Sequence, residues 1–226
     1  MLNWREHKVR MVEILRDIYR DIQISSVLGF KGGTAAYLFY GLDRYSTDLA
    51  FDLLEPKARD LVFQEITKIC KKHTNIKEQY LKRNTIFLLL DYGEREHNIK
   101  IEISTRGMDN HYQILDYLGV SVLVMKKEDM FANKLIALCQ RRNVANRDLF
   151  DLNYFFSNHW DVNESIIKLR TGKSLNEYLE DCIKSVEGVN NNQILHGLGE
   201  LVNEKQKRLV KENLKKDLLF SMKSRR

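Results

Sequence analysis

The stretch from Gly29 to Asp52 constrains this chain more than any other. A short apolar run ends in the glycine pair Gly32–Gly33, a helix-like segment follows over 33–41, and a strand opens around Ser46 and Asp48. Glycines let the backbone come close to a phosphate, and a helix N-terminus points amide donors at it. A carboxylate on the next strand can hold the metal that a nucleotide brings with it. One part of such a site is missing, because the position two after Asp48 is Ala50.

Hydrophobic periodicity organises the rest. Val9, Val12, Leu15, Ile18, Tyr19 and Ile22 recur at helical spacing, which predicts a helix over 4–23. A short strand is expected at 26–30. Leu49, Phe51 and Leu53 alternate with Asp48, Ala50 and Asp52, giving a strand with one buried and one polar face. Pro56, the only proline, marks the start of a helix over 57–73. Strands are expected at 76–82, 84–91 and 97–104. The run Ile86 to Leu90 is apolar throughout, as in a central strand covered on both faces. Ile99, Ile101 and Ile103 instead alternate with Lys100, Glu102 and Ser104. Residues 112–125 are mixed and predict one more short strand. From about 127 only helices are expected, near 127–141, 146–157, 162–170, 174–187, 191–201 and 204–221. The reading is an α+β fold: a mixed-sheet α+β domain over 1–125, then an all-helical bundle domain over 126–226. The two are expected to pack tightly around a ligand cleft.

Bulk composition narrows the class. The chain has 226 residues, 43% of them hydrophobic and 30% charged, enough for a real core in a soluble globular protein. No apolar run approaches the ~20 residues of a membrane helix, and the N-terminus lacks an apolar signal segment. Cys70, Cys139 and Cys182 are far apart in sequence and form no CxxC pair. A reduced, cytoplasmic protein without structural zinc follows as the expectation. The net charge is +6, and nine Lys/Arg against three acids within 203–226 account for all of it. Such a C-terminal helix suits contact with phosphate backbones, or is a solvated helix face with a frayed tail.

Several residues break the local pattern. Lys134 falls inside the apolar arc formed by Met130, Phe131, Leu135, Ala137 and Leu138. It must snorkel, pair with an acid or face a ligand. Asp148 lies within the arc of Leu149, Leu152, Phe155 and Phe156, with Asp151 at its edge. Either acid could partner Lys134, act as a base or cap a structural network. If the strands bearing Asp48 and Glu102 are neighbours, their carboxylates converge, as in sites that hold Mg²⁺ against a triphosphate. The six histidines, His7, His73, His97, His111, His159 and His196, pair with nothing obvious and are read as surface or turn residues.

Lys31-Gly32-Gly33-Thr34, Arg44-Tyr45-Ser46-Thr47-Asp48, Lys134 and Arg147-Asp148-x-x-Asp151 together resemble the AbiEii/AbiGii-type nucleotidyltransferase toxins. These belong to the DNA polymerase β-like nucleotidyltransferase superfamily, and the likeness covers about 25–157. The resemblance implies a mixed-sheet nucleotidyltransferase lobe with an added helical lobe. It also implies a toxin of a toxin–antitoxin or phage-abortive system, with a cognate antitoxin as partner. Its substrate would be a nucleoside triphosphate with Mg²⁺ or Mn²⁺, and its acceptor a transfer RNA. Carried over, Gly32, Gly33, Thr34 and Ser46 would grip the triphosphate. Asp48 and Glu102 would hold metal, Lys134 would neutralise phosphate charge, and Asp148 or Asp151 would complete the site. Arg44 and Arg147 would be phosphate or structural partners. The Gly32–Gly33 turn, the two acids and Lys134 would meet in one crevice.

The family pattern has acid-x-acid where this chain reads Asp48-Leu49-Ala50. Losing one of three metal carboxylates should cut the transfer rate by about two or more powers of ten. Asp52 lies on the same face but about 6.6 Å further on, a poor substitute. Ala50 is either a natural weakening or a substitution that silences an active toxin. The competing readings are a catalytically silent nucleotide- or RNA-binding regulatory module and a toxin–antitoxin interaction protein.

Overall fold

In a computed structural model, which describes residues 3–93, 98–107 and 109–225, the chain divides into two compact units. The first comprises residues up to Gly41 and Tyr45–Met125, the second Leu42–Arg44 and the chain from Lys126 onward.

The first unit is a seven-stranded mixed sheet with helices. Its strands are β1 (Leu28–Lys31), β2 (Asp48–Leu53), β3 (Asn75–Lys82), β4 (Thr85–Asp91), β5 (Ile99–Ser104), β6 (Tyr112–Tyr117) and β7 (Val120–Met125), in the order β3-β4-β5-β2-β1-β7-β6. The helices of this unit are α1 (Trp4–Arg20), α2 (Gly32–Phe39) and α3 (Arg59–His73). The central pairing is β2 with β5, parallel, flanked by β1 antiparallel to β2. Strand alternation does the sorting here. Leu49 and Phe51 of β2, Ile99, Ile101 and Ile103 of β5, and Leu28 and Phe30 of β1 are wholly buried. Met11, Ile14, Leu15 and Ile18 of α1 and Val62, Ile66 and Ile69 of α3 are buried with them, and the Tyr19 hydroxyl donates to the Leu28 carbonyl at 2.8 Å. The opposite face of β2 and β5 keeps the polar residues.

Several expectations need correction. The first helix stops at Arg20, so Ile22 lies past its end and is 90% exposed, and Val9 faces outward at 48%. The segment 112–125 holds two strands rather than one, a hairpin that reverses at Leu118–Gly119. β4 is covered on one face only: Ile86, Leu88 and Leu90 are buried, while Phe87 is half-buried and stacks on Tyr80 of β3 at 4.6 Å. The third expected strand begins at Ile99, and residue 97 lies outside the described residues.

The second unit is helical: α4 (Lys127–Gln140), α5 (Asn146–Ser157), α6 (Glu164–Thr171), α7 (Leu175–Glu187), α8 (Glu204–Leu209) and α9 (Lys215–Arg225). Its core gathers Phe131, Phe155, Phe156 and Trp160, with Phe155 and Trp160 stacked at 4.1 Å. Residues 191–201 do not form the expected helix. They make two short 3₁₀ turns, separated where Gly197 takes a left-handed φ of 66°. The expected helix over 204–221 is α8 and α9 joined through a π-helical segment, Val210–Leu214.

Candidate active site

In the first unit the site is assembled from one face of β2 and β5. Side chains alternate along a strand, so Asp48, Ala50 and Asp52 share a side. The parallel register sets Asp48 opposite Lys100 and Ala50 opposite Glu102. On the other flank of β2, Lys31 stands opposite Ala50. Ala50 is thus bracketed by Lys31 and Glu102. Gly32 follows at the start of α2 with a left-handed φ of 80°, a conformation that glycine adopts without penalty. A Cβ on Gly32 would lie 3.4 Å from that of Ala50, so the glycine turn sits directly beside the position where the third acid is missing.

The N-terminus of α2 carries no side-chain cap, which leaves its first-turn amides for an anion. Thr34 is buried at 1% exposure, its hydroxyl 2.8 Å from Ser46 Oγ and donating to the Asp48 carbonyl. It therefore ties Ser46 and Asp48 to α2. A buried histidine does similar work from α1. The carbonyl of Thr47 can only accept, so His7 Nε2 donates to it at 3.2 Å, and Nδ1 meets the Tyr92 hydroxyl at 2.7 Å. The reading of His7 as a surface or turn residue is corrected by this: it is fully buried beside the site strand.

Asp52 is fully engaged elsewhere. Lys31 Nζ lies 2.5 Å from its Oδ1, and the Tyr112 hydroxyl and Asn110 Nδ2 donate to Oδ2 at 2.5 and 3.0 Å. Burial and then the Asp52 charge raise the Tyr112 pKa, so the phenol stays a donor.

Sequence reasoning missed the role of Lys100. Its Nζ lies 3.2 Å from Asp48 Oδ2 and 3.4 Å from Glu102 Oε2, an ammonium placed between the two carboxylates. A lysine on the polar face of a strand carries no signal of this; only the register shows it. A divalent ion such as Mg²⁺ needs oxygens at about 2.0–2.1 Å in octahedral array. Here it would find two carboxylates, a methyl group at position 50 and a cation already between the acids. No group of three or more His, Cys, Asp or Glu side chains suited to a metal occurs among the described residues. As arranged, these residues do not fit the divalent-ion site that the resemblance implies.

In the second unit the residues that broke the helical pattern form one ion-paired cluster. Arg44 holds Asp151 bidentately, Nε to Oδ1 at 2.6 Å and Nη2 to Oδ2 at 2.8 Å. Lys134 Nζ reaches Asp148 Oδ1 and Asp151 Oδ2, both at 2.8 Å, and Arg141 pairs with Asp148 Oδ2. Asp148 and Asp151 are almost completely buried. Burial pushes the Asp151 pKa up, but the charges of Arg44 and Lys134 outweigh it and bring it down to about 2. Burial likewise lowers that of Lys134, and Asp151 and Asp148 more than reverse the effect, raising it. Arg44, Lys134 and Arg141 thus meet the carboxylates of Asp148 and Asp151 in one network. Arg147 is half-buried on α5.

The basic C-terminal helices divide their charge. Lys215 Nζ donates to the carbonyls of Glu187 and Val189 at 2.8 and 2.7 Å, Lys223 pairs with Glu187 at 3.1 Å, and Arg225 donates to the Trp160 carbonyl at 2.6 Å. Lys205, Arg208, Lys211 and Lys216 are exposed. No helix among the described residues is long and apolar enough to cross a membrane.

The family model described as nucleotidyl transferase AbiEii toxin, type IV toxin–antitoxin system, matches residues 14–224. No curated protein matches the chain. Among solved structures, a candidate nucleotidyltransferase from H. pylori aligns over 100% of this chain and 99% of its own, with a TM-score of 0.61 at 19% identity. The protein JHP933 from Helicobacter pylori aligns over 100% and 95%, with a TM-score of 0.60 at 18% identity. At such identities the likeness is one of fold.

Proposed function

This chain belongs to the AbiEii nucleotidyl transferase toxins of type IV toxin–antitoxin systems, and from that premise we propose that it binds a nucleoside triphosphate and transfers its nucleotide to an RNA acceptor, in a form weakened at position 50. In this reading an acceptor hydroxyl attacks the α-phosphorus, the bond to the β-phosphate oxygen breaks, and pyrophosphate leaves. The type IV toxin–antitoxin family supports a cognate antitoxin as partner, a transfer RNA is the acceptor that the sequence resemblance implies, and the exposed cations Lys205, Arg208, Lys211 and Lys216 suit a phosphate backbone.

The roles follow from the geometry. The amides of Gly32 and Gly33 at the uncapped start of α2 meet the phosphates, and Ser46, steadied by Thr34, adds a hydroxyl. Asp48 and Glu102 face the reacting groups, with Lys100 supplying the positive charge between them. Phosphoryl-type transfer depends chiefly on positioning and charge stabilisation, so a lysine in this place preserves binding better than rate. Lys134, Asp148 and Asp151 we assign to phosphate neutralisation and positioning on the strength of the family resemblance alone.

The observation that carries the reading is Ala50 opposite Glu102 and beside Gly32, the position where the third acid is missing. The lysine bridge also favours a second reading, a silent nucleotide-binding module. Incubation of the chain and of Ala50→Asp with α-labelled nucleoside triphosphates and total RNA separates the two. The transferase reading expects label in RNA with Ala50→Asp, at least about a hundredfold above the unaltered chain. Nucleotide binding without label from either protein supports the silent module, and absence of nucleotide binding from both overturns both.

A further inference from the structure

Three cysteines scattered in sequence need not be scattered in space. Cys139, near the end of α4, and Cys182, in the middle of α7, are 43 residues apart, and their sulfurs lie 3.2 Å from each other. Both thiols are free. From the geometry we infer that Cys139 and Cys182 are a reversible dithiol–disulfide pair, a modification site that crosslinks α4 to α7 when the chain meets a disulfide oxidant.

A disulfide needs its sulfurs at about 2.05 Å, so closure asks for a movement of only about 1.2 Å, within the range of side-chain torsions. The surroundings divide the labour between the two sulfurs. Cys139 is only partly buried, whereas Cys182 is buried. The two thiols share one hydrogen bond, in which either sulfur can be the donor, and this contact lowers the Cys139 pKa against the opposing effect of burial. Its lowered pKa and partial exposure make Cys139 the sulfur that attacks a disulfide as the thiolate. Cys182 is shifted the other way, first by that hydrogen bond and then by burial, so it keeps its proton until a partner has formed.

With oxidised glutathione the steps balance. The Cys139 thiolate attacks one glutathione sulfur, the glutathione S–S bond breaks, and one glutathione thiolate leaves. Cys182 then attacks the Cys139 sulfur of the mixed disulfide, that S–S bond breaks, and the second glutathione leaves, taking up the Cys182 proton. Two electrons pass from the protein dithiol to glutathione disulfide. Cys70 provides an internal contrast. It is buried on α3 in the first unit, and burial pushes its thiol up to about 12, so it should not react in the folded chain.

The test uses the full chain in buffers of graded oxidised-to-reduced glutathione ratio, with acid quench, alkylation and peptide mass mapping. The expected result is a Cys139–Cys182 disulfide, Cys70 unmodified, and half-oxidation at a ratio at least about tenfold less oxidising for the folded than for the urea-unfolded chain, because only folding pre-positions the sulfurs. Cys182→Ser should stop the reaction at a glutathione adduct on Cys139, and Cys70→Ser should change nothing. Two results overturn the inference: a glutathione adduct on Cys139 that persists in the unaltered chain, or a folded chain no easier to oxidise than the unfolded one. Both are read on the unaltered protein, so neither depends on a variant folding.

Discussion

Asp151 shows how much can rest on one side chain. It is wholly buried and satisfied by Arg44 and Lys134. Removing one partner of a buried pair leaves an uncompensated charge, so Asp151→Asn should cost about 3–5 kcal/mol in urea unfolding. The same group gives a pH signature. Its folded pKa, about 2, lies below the ordinary 3.8. The carboxylate therefore stabilises the fold fully above about pH 4, and that contribution, about 2 kcal/mol, is lost as pH falls through about 2. Unfolding measured across this acid window should be flatter in Asp151→Asn, and an unchanged slope would contradict the assignment. Gly29 tests the other unit. A Cβ there would meet the Tyr112 ring at 2.2 Å, so Gly29→Ala should destabilise by about 1–3 kcal/mol and disturb the Tyr112–Asp52 bond. A stability within about 0.5 kcal/mol of the parent would show that the ring gives way freely.

At the level of elements, the C-terminal helices separate structural cations from available ones. Lys215 is tied to two carbonyls left at the end of α7, and Lys215→Ala should cost about 1–2 kcal/mol of stability. Lys205→Ala and Arg208→Ala should stay within about 0.5 kcal/mol while weakening RNA binding, a contrast that thermal melts and filter binding can read together. Elements also show what the sequence could reveal. β2 and β5 were legible because strict alternation has one solution, an apolar side inward and a polar side out. The β6–β7 hairpin was not, because Leu118 takes a φ of 51° at its turn, where a bulky residue gives no turn signal. Residues 191–201 imitated helical spacing while the backbone turned at Gly197. Lys134 and Asp148 announced themselves by standing in apolar arcs, and Asp151 by standing at the edge of one. Lys100 did not, because a lysine on a polar strand face looks the same whether it is solvated or bridging two acids. The approach of Cys139 to Cys182 depends on helix packing that no local pattern encodes.

For the whole molecule, the family, the α+β architecture and the likeness to two Helicobacter structures agree with the residues that first suggested them. The net charge of +6 becomes a quantitative expectation once four exposed cations are singled out. If these contact a single-stranded acceptor end, log affinity should fall with log salt at a slope of about −3. The central claim concerns the face of β2 and β5, where a missing carboxylate and a bridging lysine replace a divalent-ion site. Manganese titration followed by electron paramagnetic resonance tests it without knowledge of the base or the acceptor. The account predicts no tightly held ion in the unaltered chain, and one ion per chain in Ala50→Asp combined with Lys100→Met, lost again on Asp48→Asn. An unaltered chain that holds Mn²⁺ as tightly as that double variant would contradict it.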